Sequence, residues 1–495
     1  MSSGVMAAGL LFLSAAPAYA VGAEVEGAAQ EKSREKSGIK GRRFDIYLKD
    51  RERVEVPHDL SAVSIYAWVQ TRSGFVRYEG QGTAQGTFTV AGVPRGARYS
   101  LWVGDLYVSG TERELDLSRE YLGRPDAAVP SEPTALTFNV DGLTPWRTGD
   151  TLQLFSGGAA TALFDVQDSF EAGPLSEGDT RLQGALVDFS AQPFGTLIDG
   201  TRGDTALVTR LSAKVSGDKS YQAVTQVFRP APFTMVAGQE TVIQGSFQDV
   251  PQRELLVYDY RTSSFDTHLA DVHPRAVPSA TRASLFTVSV APYTAKHGYY
   301  ATAIPDVLAA PLEEGRPVPM TYGNPYPRDW PLVISFARYS SVAFSLNGTQ
   351  PWVATGMFGT TAELSGSPYQ RIEPLMSPVR DIRVDGVSAD DDQALGSLTP
   401  TLRWAPPAVG RPGNHLVTFF RLTEDGTRTR IQGTVTFMTA ERELTVPPGV
   451  LVPGAAYVAR IQSLREGNVD LSRYLFRQDF PNAYAYAFTG ILHAP

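Results

Sequence analysis

Asp266-Thr267-His268-Leu269-Ala270-Asp271-Val272-His273 is the densest group of metal-ligand types in the chain, and it holds two of the six histidines. On a strand, side chains two apart share a face, so 266 would lie with 268 and 271 with 273. A turn at Leu269-Ala270 would then gather Asp266, His268, Asp271 and His273 around Zn²⁺. The spacing matches no zinc pattern such as His-Glu-x-x-His. The segment is read as a polar loop between strands, and no metal or cofactor is assigned.

Three further stretches carry chemistry-bearing residues. Tyr322-Gly323-Asn324-Pro325-Tyr326-Pro327-Arg328-Asp329-Trp330 puts three aromatics in a proline-stiffened loop. Rings fixed in this way lose little entropy on binding, which makes Tyr322, Tyr326 and Trp330 the ligand-binding candidates, suited to sugar faces or Pro-rich peptides. The competing reading has these rings cover the edge of a core. Asp390-Asp391-Asp392 lacks the alternating ligands of a calcium loop and is read as a solvated acidic loop. Arg202-Gly203-Asp204 spells the integrin tripeptide at a predicted hairpin tip, where Arg, Gly and Asp are ordinary turn composition. No Gly-x-Ser-x-Gly elbow, Walker loop or Gly-x-Gly-x-x-Gly fingerprint occurs.

The elements that must position these residues are strands. From Phe44-Asp45-Ile46-Tyr47-Leu48 onward, short alternating runs such as Val63 to Val69 are bounded by Gly, Pro, Asn or Asp, the pattern of sandwiches or barrels. Helix is expected only as a short piece around Asp306 to Glu314 and a turn near Glu112 to Tyr121. The fold class is all-β, in tandem β-sandwich domains. The 35 prolines scattered through the runs disfavour an outer-membrane barrel.

The predicted organisation begins with a signal peptide at 1–20, with an apolar core at Leu10-Leu11-Phe12-Leu13 and small residues at Ala18 and Ala20 before the cut, although its start lacks Lys and Arg. A flexible linker follows at 21–43, then β units at 44–128, 129–260 and 261–375, and a closing unit at 376–495. Two echoes hint at related units. Phe138-Asn139-Val140-Asp141-Gly142-Leu143-Thr144-Pro145-Trp146 matches Phe344 to Trp352 at Phe, Gly, Pro and Trp, and Gly86-Thr87-Phe88 before Val93-Pro94 matches Gly245-Ser246-Phe247 before Val250-Pro251. In the last unit Tyr484, Tyr486 and Phe488 alternate with Ala and are expected to face a sandwich interior.

Thr399-Pro400-Thr401-Leu402-Arg403-Trp404 and Leu451-Val452-Pro453-Gly454-Ala455-Ala456-Tyr457 resemble the landmarks of a fibronectin type III domain. The resemblance implies a Trp filling the core and a Tyr hydroxyl tying down the preceding loop. Near the other end, Gly86-Thr87-Phe88, Val93-Pro94, Gly96, Tyr99 and Leu101 resemble the pattern of carboxypeptidase regulatory-like, transthyretin-type sandwiches.

Composition narrows the function classes. The balance of 44 basic against 52 acidic residues, net −8, argues against a nucleic-acid partner. With no Cys, disulfides, thiolate metal sites and cysteine nucleophiles are excluded. After the leader no apolar stretch reaches the ~20 residues of a transmembrane anchor. Arg-dominated positive charge with abundant Ala and Gly suggests a GC-rich bacterial genome. The expected role is structural or adhesive and non-catalytic, at the bacterial envelope or outside the cell, with an envelope or extracellular protein or glycan as partner. The alternatives are a glycan-binding or enzyme-accessory protein using the aromatic loop, and a hydrolase with its site in the central β region.

Overall fold

The computed structural model describes residues 38–49, 52–171, 173, 175–192, 194–279, 285–290, 305–364 and 366–495. The leader at 1–20 and the linker up to residue 37 lie outside the described residues. The described residues are all-β: strands take up 52% of them and helix 4%, the α-helical part being two single turns, so the architecture rests on strand pairing.

The first described strand precedes Phe44. Gly38–Arg42 is a strand, paired antiparallel with Thr87–Ala91 and parallel with Glu114–Asp116, so the last residues of the expected linker belong to the first unit. Neither predicted helix forms. Asp306–Pro311 is a strand between Leu285–Val290 and Lys219–Phe228, and the expected turn near 112–121 holds the strands Glu114–Asp116 and Arg119–Leu122. The boundary expected at 260 also moves. Glu254–Tyr260 pairs with Met320–Tyr322 and Tyr369–Ile372, so it opens the third unit instead of closing the second.

Each unit has a smaller sheet of its own. These are Arg119–Leu122, Phe44–Lys49 and Glu52–Pro57; Leu182–Asp188, Ala135–Asp141 and Thr241–Ser246; Met320–Tyr322, Glu254–Tyr260 and Tyr369–Ile372; and Val387–Ser388, Arg380–Val384, Thr401–Ala405 and Glu443–Thr445. The remaining described strands, long and short, pair into one closed sheet that runs from unit to unit. Leu106–Gly110 of the first pairs parallel with Arg428–Thr439 of the last, with Tyr107 opposite Phe437. Asn482–His493 of the last pairs with Trp352–Glu363 of the third, and Asp306–Pro311 of the third with Lys219–Phe228 of the second. Gly359 stands opposite Tyr484 in the second of these junctions, where any Cβ would collide with the Tyr484 ring.

The cores follow the same plan. One lies in the first unit around Ile39, Phe88, Tyr99 and Leu101, one in the second around Phe138, Trp146 and Phe189, and one in the last around Leu402, Trp404, Phe419 and Tyr457. The largest draws Ile46 and Leu48, Phe155 and Leu211, Phe265 and Phe336, and Val458 and Phe488 into one cluster, so all four units share it. Separate unfolding of one unit would expose its neighbours' apolar side chains as well as its own.

In the last unit Trp404 is 5% exposed, and the Tyr457 hydroxyl accepts a hydrogen bond from the Val452 amide at 2.9 Å. Tyr457→Phe should therefore cost about 1 kcal/mol, measured as a shift in the urea unfolding of the whole chain, because the amide it abandons lies beside solvent. A loss above about 3 kcal/mol would show the hydroxyl bond to be part of a larger network. On the final strand the alanines Ala483, Ala485 and Ala487 are buried with Phe488, whereas Tyr484 and Tyr486 are only half-buried, so the expected interior face is corrected for these two tyrosines. Both faces of this strand pack, because it joins two units.

Candidate functional site

The proline-stiffened loop turns its rings inward. Asn324 Oδ1 accepts from the Tyr326 amide at 3.0 Å, closing an Asx turn that points Tyr326 under the loop. Tyr322 and Tyr326 are 2% and 5% exposed, and burial pushes the Tyr322 hydroxyl up to about 12 and the Tyr326 hydroxyl higher still. Trp330, half-buried, stacks on Tyr326 with centroids 5.9 Å apart, and Phe155 stands edge-on to both. The rings thus seal the seam between the second and third units. What the loop offers outward is one wall of an apolar groove of about 480 Å³, whose other walls include Leu207, Pro230, Pro232 and Phe233.

The cluster at 266–273 is not a strand and turn. Ser263–Asp266 and Leu269–Val272 are single helical turns, anchored by buried Phe265 and Val272. That periodicity brings only His268 and Asp271 of the four together. Asp266 reaches Arg338 at 3.2 Å, His268 faces Asp271 at 3.7 Å, and His273 lies buried on extended backbone. The His273 Nδ1 accepts from the Arg275 amide at 3.0 Å, which places the ring proton on Nε2, and burial with Arg275 nearby holds its pKa below the usual range. Burial lifts Asp271, with His268 and Arg380 acting against it.

The fold also brings up the acidic loop. Arg275 pairs with Asp392 at 3.4 Å, and Asp392 Oδ1 accepts from the Ile491 amide at 2.8 Å. Among the described residues no three His, Cys, Asp or Glu side chains converge on a metal-sized site.

Arg202-Gly203-Asp204 sits on a helical turn, Gly200–Arg202, followed by Gly203 in the left-handed region. Its carboxylate faces inward. Asp204 is 1% exposed and binds Lys49 and Arg124, each at 3.0 Å, so it ties the second unit to the first and presents no acidic group to a receptor.

Two constellations carried no sequence signal. Arg210, 2% exposed, pairs with Asp150 and donates to Gln226 Oε1 and the Thr144 and Pro145 carbonyls, with its guanidinium 5.5 Å from the Trp146 ring centroid. This network holds the floor of an open polar cleft of about 660 Å³ lined by Asp141, Thr144, Thr180, Arg181, Gln226 and Asp249. The second is a pair of buried carboxyls where the first and last units meet. Burial raises Glu120 to about 8 against the pull of Arg477, the Gln478 amide and Arg53. Burial raises Glu466 to about 8 as well, with Asp479 and Glu120 adding to it and the Asp479 amide opposing.

Both folded-state values lie above the ordinary carboxylate range, so the native chain binds more protons than the unfolded one between the two. Their stabilisation is complete below about pH 4, falls as pH rises and is gone above about pH 8. The melting temperature should fall between about pH 5 and pH 8, and Glu120→Gln should flatten part of that fall. An identical profile in the variant would show that Glu120 does not hold its proton in the folded chain.

No protein-family model matches this chain, and a search of curated proteins likewise found no match. The functional reading therefore rests on the chemistry of the chain itself.

Proposed function

We propose that this chain is an exported, non-catalytic structural or adhesive component of the bacterial envelope or extracellular space. The observation that carries the reading is the strand pairing that joins all four units, together with the core they share. Hydrogen-bonded junctions resist displacement of one unit against the next, which suits a component that holds its shape under load. The last unit is proposed as a fibronectin type III-like module. In its support, Arg380–Val384, Thr401–Ala405 and Glu443–Thr445 form one sheet, four long strands form the other, and Tyr457 caps the corner. No described helix is long and apolar enough to cross a membrane.

The test is retention of the purified mature chain on isolated bacterial envelopes, alongside panels of glycosidase, esterase and peptidase substrates. Retention with silent panels is expected. Turnover of a panel substrate, or no retention, would overturn the reading. N-terminal sequencing of exported protein should return Val21, while a start at Met1 or beyond Gly38 would remove the proposed leader.

A further inference from the structure

The sheet of the first unit has an outward face of unusual composition. Ile65–Thr71, Gly74–Gly82, Tyr99–Val103 and Leu106–Gly110 lie side by side, and period two sends Ile65, Ala67, Val69, Leu101, Val103 and Val108 into the core. The registers fix what lies opposite. One row runs Glu79, Tyr66, Trp102, Tyr107; the next runs Arg77, Trp68, Ser100, Ser109; and Gln70 pairs with Phe75 beyond them. Every side chain in these rows is aromatic or hydrogen-bonding and none is aliphatic; Ser100, Ser109 and Tyr107 are buried, so the open part of the face is formed by Tyr66, Trp68, Gln70, Phe75, Arg77 and Glu79.

Part of this row has a packing explanation. Tyr107 stacks on Phe437 of the last unit with centroids 4.6 Å apart, and Trp102 lies against Tyr107, so these two rings belong to the junction. Tyr66, Trp68 and Phe75 continue the row away from it and are half-buried. Tyr66 lies nearly parallel to Trp102 at 6.3 Å, and Trp68 stands edge-on between Tyr66 and Phe75, 6.4 Å from each. The Arg77 guanidinium lies 3.9 Å from the Tyr66 ring centroid and is held by Glu79 at 2.7 Å. Cross-strand packing fixes all of these rings, so little rotamer freedom remains to be lost on binding.

We infer that this face binds a neutral glycan, with Trp68 as the stacking ring and Arg77, Glu79 and Gln70 as partners for its hydroxyls. Sugar hydroxyls donate and accept, and the Arg77–Glu79 pair offers both functions with no net charge. The apolar faces of pyranose rings match aromatic planes. A lipid or an apolar protein surface would call for aliphatic area, which this face lacks.

The inference rests on the adhesive reading and names its site. The experiment is affinity electrophoresis of the whole chain through gels containing soluble β-glucan, xylan, mannan or dextran, with envelope retention measured in parallel. At least one polysaccharide should retard the protein, and Trp68→Ala should weaken that binding at least about tenfold with an unchanged melting temperature. Trp68→Phe should recover part of it. Should Trp68→Ala misfold, Arg77→Ala, at an exposed position, carries the same test through the hydroxyl contacts. No retardation by any neutral polysaccharide, or equal retardation of the variants, overturns the site. If envelope retention then persists, the adhesive reading survives without it, and if retention is also absent both fail.

Discussion

Asp150→Ala should destabilise the chain by about 3 to 5 kcal/mol, because it strands a cation in the interior of the second unit. Arg210 is 2% exposed, and Asp150 is the carboxylate that neutralises it. Its remaining partners, the Thr144 and Pro145 carbonyls and Gln226, are uncharged. Asp150 also accepts from the Arg147 amide at 2.9 Å, so its loss frees the loop that carries Trp146 and the wall of the polar cleft. Replacing both members, Asp150→Leu with Arg210→Met, should cost clearly less, since no charge is then left unpaired. Urea unfolding of the two variants separates the outcomes. Equal losses would mean that packing, not charge burial, sets the cost.

Much of the strand pattern was legible because period-two alternation and turn residues are local signals. Phe44-Asp45-Ile46-Tyr47-Leu48 reads as a half-buried strand and is one. Trp404 and Tyr457 were legible through the resemblance of their segments to fibronectin type III landmarks, which implied a buried Trp and a Tyr hydroxyl bonded to the preceding loop, and both are found. The misses share a different cause. Asp306-Val307-Leu308-Ala309-Ala310 is rich in helix formers, and only pairing with strands distant in sequence, from Lys219–Phe228 on one side, makes it extended. Glu114–Asp116 and Arg119–Leu122 are short and take parallel partners from 38–49, which no hairpin signal announces.

The candidate residues were visible as residue types, but not in their direction. Tyr322, Tyr326 and Trp330 lie in one loop, and an Asx turn and the neighbouring Phe155 turn Tyr326 and Trp330 under it. At 266–273, read as a polar loop, the chain makes two helical turns and sends Asp266 to Arg338, a partner 72 residues away. The Asp150–Arg210 pair spans 60 residues, and composition holds no trace of it.

Trp404→Ala should cost about 3 to 5 kcal/mol, several times the cost of Tyr457→Phe in the same unit. The indole lies in the core of the last unit with Leu402, Phe419 and Leu444, and the long ladder of Asn414–Asp425 with Arg428–Thr439 on one side of that core resists collapse into the space it leaves. His415 gives this prediction a second readout. Its ring sits 5.2 Å from the Trp404 ring, and burial pushes its pKa down to about 4. Because the folded value lies below the unfolded one, the buried neutral imidazole stabilises the chain above the ordinary histidine range, and that contribution is lost as pH falls toward about 4. Water admitted by Trp404→Ala would let His415 protonate at higher pH inside the folded chain, so the cost of the substitution should be smaller at about pH 5 than at about pH 7, whatever the other titrating groups do to both chains. Urea unfolding at about pH 5 and about pH 7 measures both effects at once. A small loss with an unaltered pH slope would mean that neither the indole nor the imidazole occupies a closed core.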